Sequence, residues 1–375
     1  MPTHYPIYCL HFFILFISVS SSGTQTGYST SSAAKLAMFV FGDSTVDPGN
    51  NNYLQTPFKS NFPPYGQDFV NHIPTGRFSN GRLVTDFAAS YAGVKENVPP
   101  YLDPGLSTDE LLTGVSFASA GSGLDPLTAK LSVRLSSTSQ IISLGVMSIP
   151  KQMECFREYK SKVEEMIGTE RTQALLKKAV YIISAGTNDF IVNYYGASGI
   201  RRYSYSIPSY SQFLTQQLQE LIEDLMDVGA RRIVIVGVPP FGCLPAVITL
   251  YSNQILHHKR ECIATMSSDA QGFNQMVKQK AKELERNGSK IYHVDIYETF
   301  KDIIQDPKEF GFNKVYSGCC GTGLIELSYS CNAQSRLCSN ASEFVFFDSV
   351  HPTERTYFLV FKALIPTIDL VLKSD

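Results

Sequence analysis

The sequence predicts an α/β domain built on a parallel sheet with helices on both faces. Two observations carry that reading: short apolar runs without polar alternation, and stretches of helical periodicity set between them. A strand buried on both faces has no solvent side, so it reads as continuously apolar. The first run is 36–41, followed by Val180–Ser184, 232–238 and 290–295. Helical patterns cover Ile149–Ile167, 212–228 and 261–286; Gly229 closes the second and Asn287-Gly288 the third. A last helix is expected over 353–365, with Pro352 at its start and Glu354 in its first turn. Strands alternating with helices imply a sheet covered on both sides. Neither an internal repeat nor a long polar linker interrupts the pattern, so residues 35–375 are read as one domain.

Residues 12–19 form an uninterrupted apolar run, followed by Ser20, Ser21, Ser22 and Gly23. That is the apolar segment and small-residue cleavage zone of a secretory signal, assigned to residues 1–23. It is too short for a membrane span, which needs about 20 residues. Its leading segment departs from the pattern, since it carries only His4 and His11 in place of Lys or Arg. Residues 24–34 are rich in Ser and Thr and are expected to be flexible. The protein is therefore expected to be secreted, with no membrane span after cleavage. Four cysteines fall between 319 and 338, which suits a disulfide-tied loop in an oxidising compartment. A zinc site is the rival, but the adjacent pair Cys319-Cys320 suits chelation poorly. Cys243 and Cys262 could make a third pair, leaving Cys155 odd. Asn287 and Asn340 head glycosylation sequons. A net charge of -2 argues against nucleic acid or an anionic membrane surface as partner. Charged residues make up 18%, and Phe (24) and Tyr (20) are abundant without Trp, so apolar surface or an apolar groove is expected.

Ligand sites of open α/β sheets gather at the carboxyl ends of strands. Two polar motifs sit there: Gly42-Asp43-Ser44 after the first run and Gly186-Thr187-Asn188-Asp189 after the second. Ser44 would be held on rigid backbone at the mouth of a cleft, where its hydroxyl needs a base to become a nucleophile. His351 is the leading candidate, because Asp348 three residues earlier can reach back to one ring nitrogen and hold its tautomer. His293 competes, sharing a strand face with Asp295, but that strand is buried and a satisfied core histidine accounts for it better. An oxyanion hole needs donors, for which the Ser44 N–H, a glycine of Ala118-Ser-Ala-Gly-Ser-Gly123 and the Asn188 amide are candidates. The segment Gly114-Val-Ser116-Phe-Ala118 resembles a nucleophile elbow without its second glycine, so Ser116 is read as structural.

Taken together, these segments resemble the GDSL family of SGNH hydrolases, specifically the secreted plant GDSL esterase/lipases. The first block is Phe41-Gly-Asp-Ser-Thr-Val-Asp-Pro-Gly-Asn-Asn51 and the second Gly114-Val-Ser-Phe-Ala-Ser-Ala-Gly-Ser-Gly123. The third is Gly186-Thr-Asn-Asp189 and the last Asp348-Ser-Val-His-Pro352. Pro74–Arg82, Pro239–Pro245 and Cys319–Gly323 support the match, which spans nearly the whole mature chain. The resemblance implies a three-layer α/β/α sandwich with a mainly parallel flavodoxin-like sheet. It implies Ser44 as nucleophile and oxyanion N–H donor, Gly121 and Asn188 as further oxyanion donors, His351 as base and Asp348 as its orienting acid. Thr45 stands where Leu is usual, Ser116 where Asn is common, and Phe347 where Trp is common; these alter pocket shape and remove no catalytic group.

The expected reaction is two-step acyl transfer from an ester, of a small molecule or a lipid, to water through a Ser44 acyl-enzyme. No metal or organic cofactor is called for, and a monomer is expected. Two alternatives are transfer of the acyl group to an alcohol of wall or cuticle polymers, and a non-catalytic wall- or lipid-binding protein. Retention of all five groups argues against the second. Substrate chain length is not legible in the residues.

Overall fold

A computed structural model describes residues 36–131, 145–197, 199–252, 260–286 and 288–374. The predicted signal segment, residues 24–34 and the sequon's Asn287 lie outside them. Among the described residues six strands are formed: β1 (Met38–Gly42), β2 (Val180–Ser184), β3 (Arg232–Val236), β4 (Lys290–Val294), β5 (Lys314–Gly318) and β6 (Phe344–Phe346). The helices are α1 (Val84–Tyr91), α2 (Thr108–Leu112), α3 (Pro126–Leu131), α4 (Ile149–Ile167) and α5 (Thr169–Lys178). They continue as α6 (Ile207–Asp227), α7 (Pro245–Tyr251), α8 (Ala264–Leu284), α9 (Tyr297–Gln305) and α10 (Glu354–Lys373).

Strands β1 to β4 pair in parallel in chain order, with Gly42, Ser184 and Val236 in register at the carboxyl ends. Residues 113–119 run along the free edge of β1. Met38 N donates to Thr113 O, Val40 N to Val115 O, Phe117 N to Val40 O and Ser119 N to Gly42 O. Counting that edge segment, the spatial order is second, first, third, fourth, fifth, the flavodoxin-like order. The α/β class and the parallel sheet are thus as expected. The edge position of 113–119 was not foreseen, because Gly114 and the small residues after it do not read as a strand.

The two faces of the sheet carry different side chains. Phe39, Phe41, Tyr181, Ile183, Ile233 and Ile235 point into the main core with α4, α5, α6 and α8. The opposite face presents Met38, Val40, Val180 and Ile182, with Val234 and Val236, toward α1 and α10. Around Phe156 of α4 the main core is aromatic; Phe39, Phe41, Phe117 and Tyr181 all pack on its ring. Helix α4 matches its expected bounds. Helix α6 starts at Ile207, ahead of the expected 212, because the Ser206 side chain caps Ser209 N and Pro208 fits the first turn. Helix α10 corrects the expected start. Thr353 is its N-cap, accepting from Thr356 N, so Pro352 precedes the helix, which continues past Pro366 to Lys373.

Disulfides Cys319–Cys338 and Cys320–Cys331 tie the loop after β5, and Cys243–Cys262 joins two further segments; Cys155 is a buried thiol. No helix among the described residues is long and apolar enough to cross a membrane. One buried ion pair holds the chain that leads into α1. The Arg77 guanidinium donates to both Asp86 oxygens at 2.8 Å, while Leu83 N and Val98 N donate to the same carboxylate at 2.8 and 2.9 Å. Asp86→Ala would strand a buried guanidinium, and we expect urea unfolding to show a loss of about 3–5 kcal/mol.

Candidate active site

Strand β1 ends at Gly42, whose φ of 144° and proximity to the Ser184 carbonyl leave no room for a side chain. The Gln152 side chain from α4 clamps that residue, accepting from Gly42 N and donating to Gly42 O, both at 2.9 Å. The chain then turns. Asp43 N donates to Ser184 O at 3.1 Å. The Asp43 carboxylate accepts from Thr45 N at 3.0 Å and from Thr45 Oγ1 at 2.8 Å. Ser44 sits at the tip of this turn, 7% exposed. Burial raises the Asp43 pKa, opposed by the two Thr45 bonds and by His351.

Across the cleft, His351 Nε2 lies 2.8 Å from Ser44 Oγ, although 307 residues separate them. His351 Nδ1 lies 2.7 Å from Asp348 Oδ2. Asp348 Oδ1 meanwhile accepts from Val350 N at 2.8 Å and from His351 N at 2.7 Å. One carboxylate therefore shapes the backbone turn and orients the ring that the turn carries. This is the geometry expected of the three-residue spacing. Phe78 packs 4.7 Å from the imidazole, between ring centres, and restricts its rotation. Tyr65 is a partner that the sequence reading missed. Its hydroxyl donates to Asp348 Oδ2 at 2.8 Å and accepts from Ser328 N at 2.9 Å. Burial, then the Asp348 charge, push its pKa well above the ordinary phenol value, so it stays a donor.

Gly121 and Asn188 come together through one residue. Asn188 Nδ2 donates to the Ser122 carbonyl at 2.9 Å, and the second N–H of that nitrogen can serve an incoming oxygen. Ser122 Oγ donates to Gly42 O at 2.6 Å, tying the segment to the end of β1. Gly121 is buried with φ 87°, a turn conformation that favours glycine. The neighbouring Asp189 carboxylate accepts from Leu124 N, Asp125 N and Thr128 Oγ1 at 2.8, 3.0 and 2.6 Å. Asp47 accepts from Gly49 N, Asn50 N and Ala120 N at 2.8, 2.7 and 3.0 Å. Burial outweighs these donors, raising the Asp189 pKa to about 7 and that of Asp47 to about 6.

Other candidates separate from this cluster. Ser116 Oγ donates to Val46 O at 3.0 Å and accepts from Ala118 N, the structural role expected of it. His293 was read as satisfied, and that is corrected. Its Nε2 is buried and finds no hydrogen-bond partner among the described residues. Asn340 is exposed, its side-chain oxygen capping a short helical turn at Ser342 N. Among the described residues no three His, Cys, Asp or Glu side chains gather to hold a metal ion.

Two outcomes are expected from these contacts. Tyr65→Phe removes a hydrogen bond to a charged group, worth about 1.5–3 kcal/mol, and should slow fluorophosphonate labelling of Ser44 by about 10–100-fold. Asp189 keeps in the folded state a proton that the unfolded chain releases near its ordinary pKa of 3.8. Its contribution to stability therefore falls as pH rises from about 4 to 7 and is level above that. In urea unfolding, Asp189→Asn should accordingly improve relative to wild type between pH 4.5 and 7.5; the opposite trend would refute the raised pKa.

The family model described as GDSL-like Lipase/Acylhydrolase matches residues 38–364. GDSL esterase/lipase At5g45960 of Arabidopsis thaliana is 50% identical over 342 residues, 90% of this chain and 88% of the relative. GDSL esterase/lipase At1g06990, from the same plant, is 41% identical over 90% of both chains. With the family's match covering most of the residues that build the sheet and the cluster around Ser44, this chain belongs to the GDSL-like lipase/acylhydrolase family.

Proposed function

We propose that this protein is a secreted carboxylic ester hydrolase that works through a Ser44 acyl-enzyme. The observation that carries the reading is the unbroken line from Asp348 through His351 to Ser44 Oγ, at 2.7 and 2.8 Å. His351 Nε2 takes the Ser44 proton as Oγ attacks the ester carbonyl. Asp348 steadies the imidazolium that forms, and Tyr65 steadies Asp348. Charge developing on the carbonyl oxygen meets the Ser44 and Gly121 backbone N–H groups and the Asn188 amide. His351 then gives its proton to the leaving alcohol. Water, activated by the same ring, releases the acid and restores Ser44. The names of the relatives support ester substrates. Three disulfides and the N-terminal apolar run support export.

Ser44→Ala should abolish both hydrolysis of p-nitrophenyl acetate and labelling by a fluorophosphonate. Asn188→Ala should lower kcat by about 10²–10³, the usual cost of one oxyanion donor. Activity of Asn188→Ala close to wild type would remove that side chain from the mechanism.

A further inference from the structure

Between the sheet and helices α1 and α10 lies a cavity of about 120 Å³ whose walls are almost wholly apolar. Small side chains on both sides create it. The sheet contributes Val180, Ile182, Val234 and Val236, and α1 contributes Val84 and Ala88. Val234 and Val236 remain half-buried although β3 is flanked by strands on both edges, so their exposure is to this space. Along α10 the wall runs from Tyr357 to Leu372, about 22 Å at 1.5 Å per residue. The space is therefore long and narrow.

Its chemistry is uneven. Asp43, Thr45, Ser184 and Thr187 gather at one end. Asp43 and Thr45 bracket Ser44, Thr187 precedes Asn188, and the lining residues Val350 and Pro352 bracket His351. The Tyr357 side chain lines the same space, 4% exposed, and its hydroxyl finds no hydrogen-bond partner among the described residues. A buried hydroxyl without a partner is costly, and a dry apolar cavity of about 150 Å³ is large enough to take a small apolar guest.

We propose that this cavity binds a single unbranched aliphatic chain with an uncharged polar end, the end at the Tyr357 hydroxyl and the tail toward Val371. Length and bore select a chain over a ring. Burial, with Asp43 and Asp348 nearby, holds the Tyr357 phenol protonated, so it donates to an ester or alcohol oxygen. Among the described residues no Lys, Arg or His lines the space to pair with an anionic head. Such a chain has two sources: the ester being cleaved, which rests on the ester-hydrolase reading, or a free long-chain alcohol, which does not.

The test titrates the Ser44→Ala protein with 1-dodecanol and with dodecanoate at pH 8, by calorimetry and thermal shift. Dodecanol should raise the melting temperature and bind at least tenfold tighter than dodecanoate. Filling the space from the sheet side with Val236→Phe, or from the helix side with Leu364→Phe, should weaken dodecanol binding at least tenfold. If one filled variant does not fold, the other decides. Absence of dodecanol binding, equal binding of dodecanoate, or undiminished binding in the folded filled variants would overturn the proposal. With Ser44 intact, the ratio of kcat/KM for p-nitrophenyl decanoate to acetate should fall at least tenfold in the filled variants if the chain belongs to the substrate. An unaltered ratio with lost dodecanol binding assigns the site to a free chain. If wild type cleaves neither ester, the hydrolase reading fails, while the dodecanol titration still decides the cavity.

Discussion

A carboxylate taken out of water needs donors, and that constraint shapes the carboxyl end of this sheet. Asp43, Asp47, Asp86, Asp189 and Asp348 are all buried, and each accepts from backbone N–H groups of the loop it sits in or beside. Each therefore folds a length of irregular chain around itself. Asp47 joins the turn after Ser44 to the edge segment at Ala120, and Asp189 joins the Asn188 turn to residues 124–128. Asp348 joins the last turn to Tyr65, 283 residues away. The site is rigid because its loops are tied at these points, although little regular structure surrounds it.

Neutral side chains complete the ties. Gln152 reaches from α4 to grip both backbone groups of Gly42, and Asn50 donates to the Ser116 and Ala118 carbonyls at 2.8 Å. Asn51 donates to the Ala120 carbonyl at 3.0 Å. The consecutive asparagines thus give an edge segment without strand-like residues the partners it needs to stay beside β1. Displacing that segment would carry Gly121 away from Asn188, because Ser122, the next residue, bonds both the Asn188 amide and Gly42.

The asymmetry between the two faces of the sheet has a parallel consequence. Large rings on the α4 side pack closely around Phe156 beneath Ser44. On the α1 and α10 side the layers meet through smaller side chains, valines and alanines among them, and a cavity is left between them. Close packing and space therefore lie on opposite sides of one sheet.

Much of this was legible in the residues. Continuous apolar runs located all four strands of the main sheet, since burial on both faces leaves a local signature. The Asp348-to-His351 spacing was legible too, because three residues are one turn and the contact is local. Gly121, Asn188 and Ser44 were recognisable by motif, and the ordered blocks implied their roles together. Nothing local marks Tyr65 or Gln152, whose partners lie 283 and 110 residues away. The edge position of residues 113–119 depends on asparagines from another loop, and the empty partner of Tyr357 on how far α10 stands from the sheet. The sequence by itself determined the layers and marked Ser44, Asp348 and His351 as candidates, because periodicity and short-range spacing are properties of neighbouring residues. Only the tertiary structure decided which distant donors hold Asp348 and Gly42 and where space remains, because those depend on how the layers close over one another.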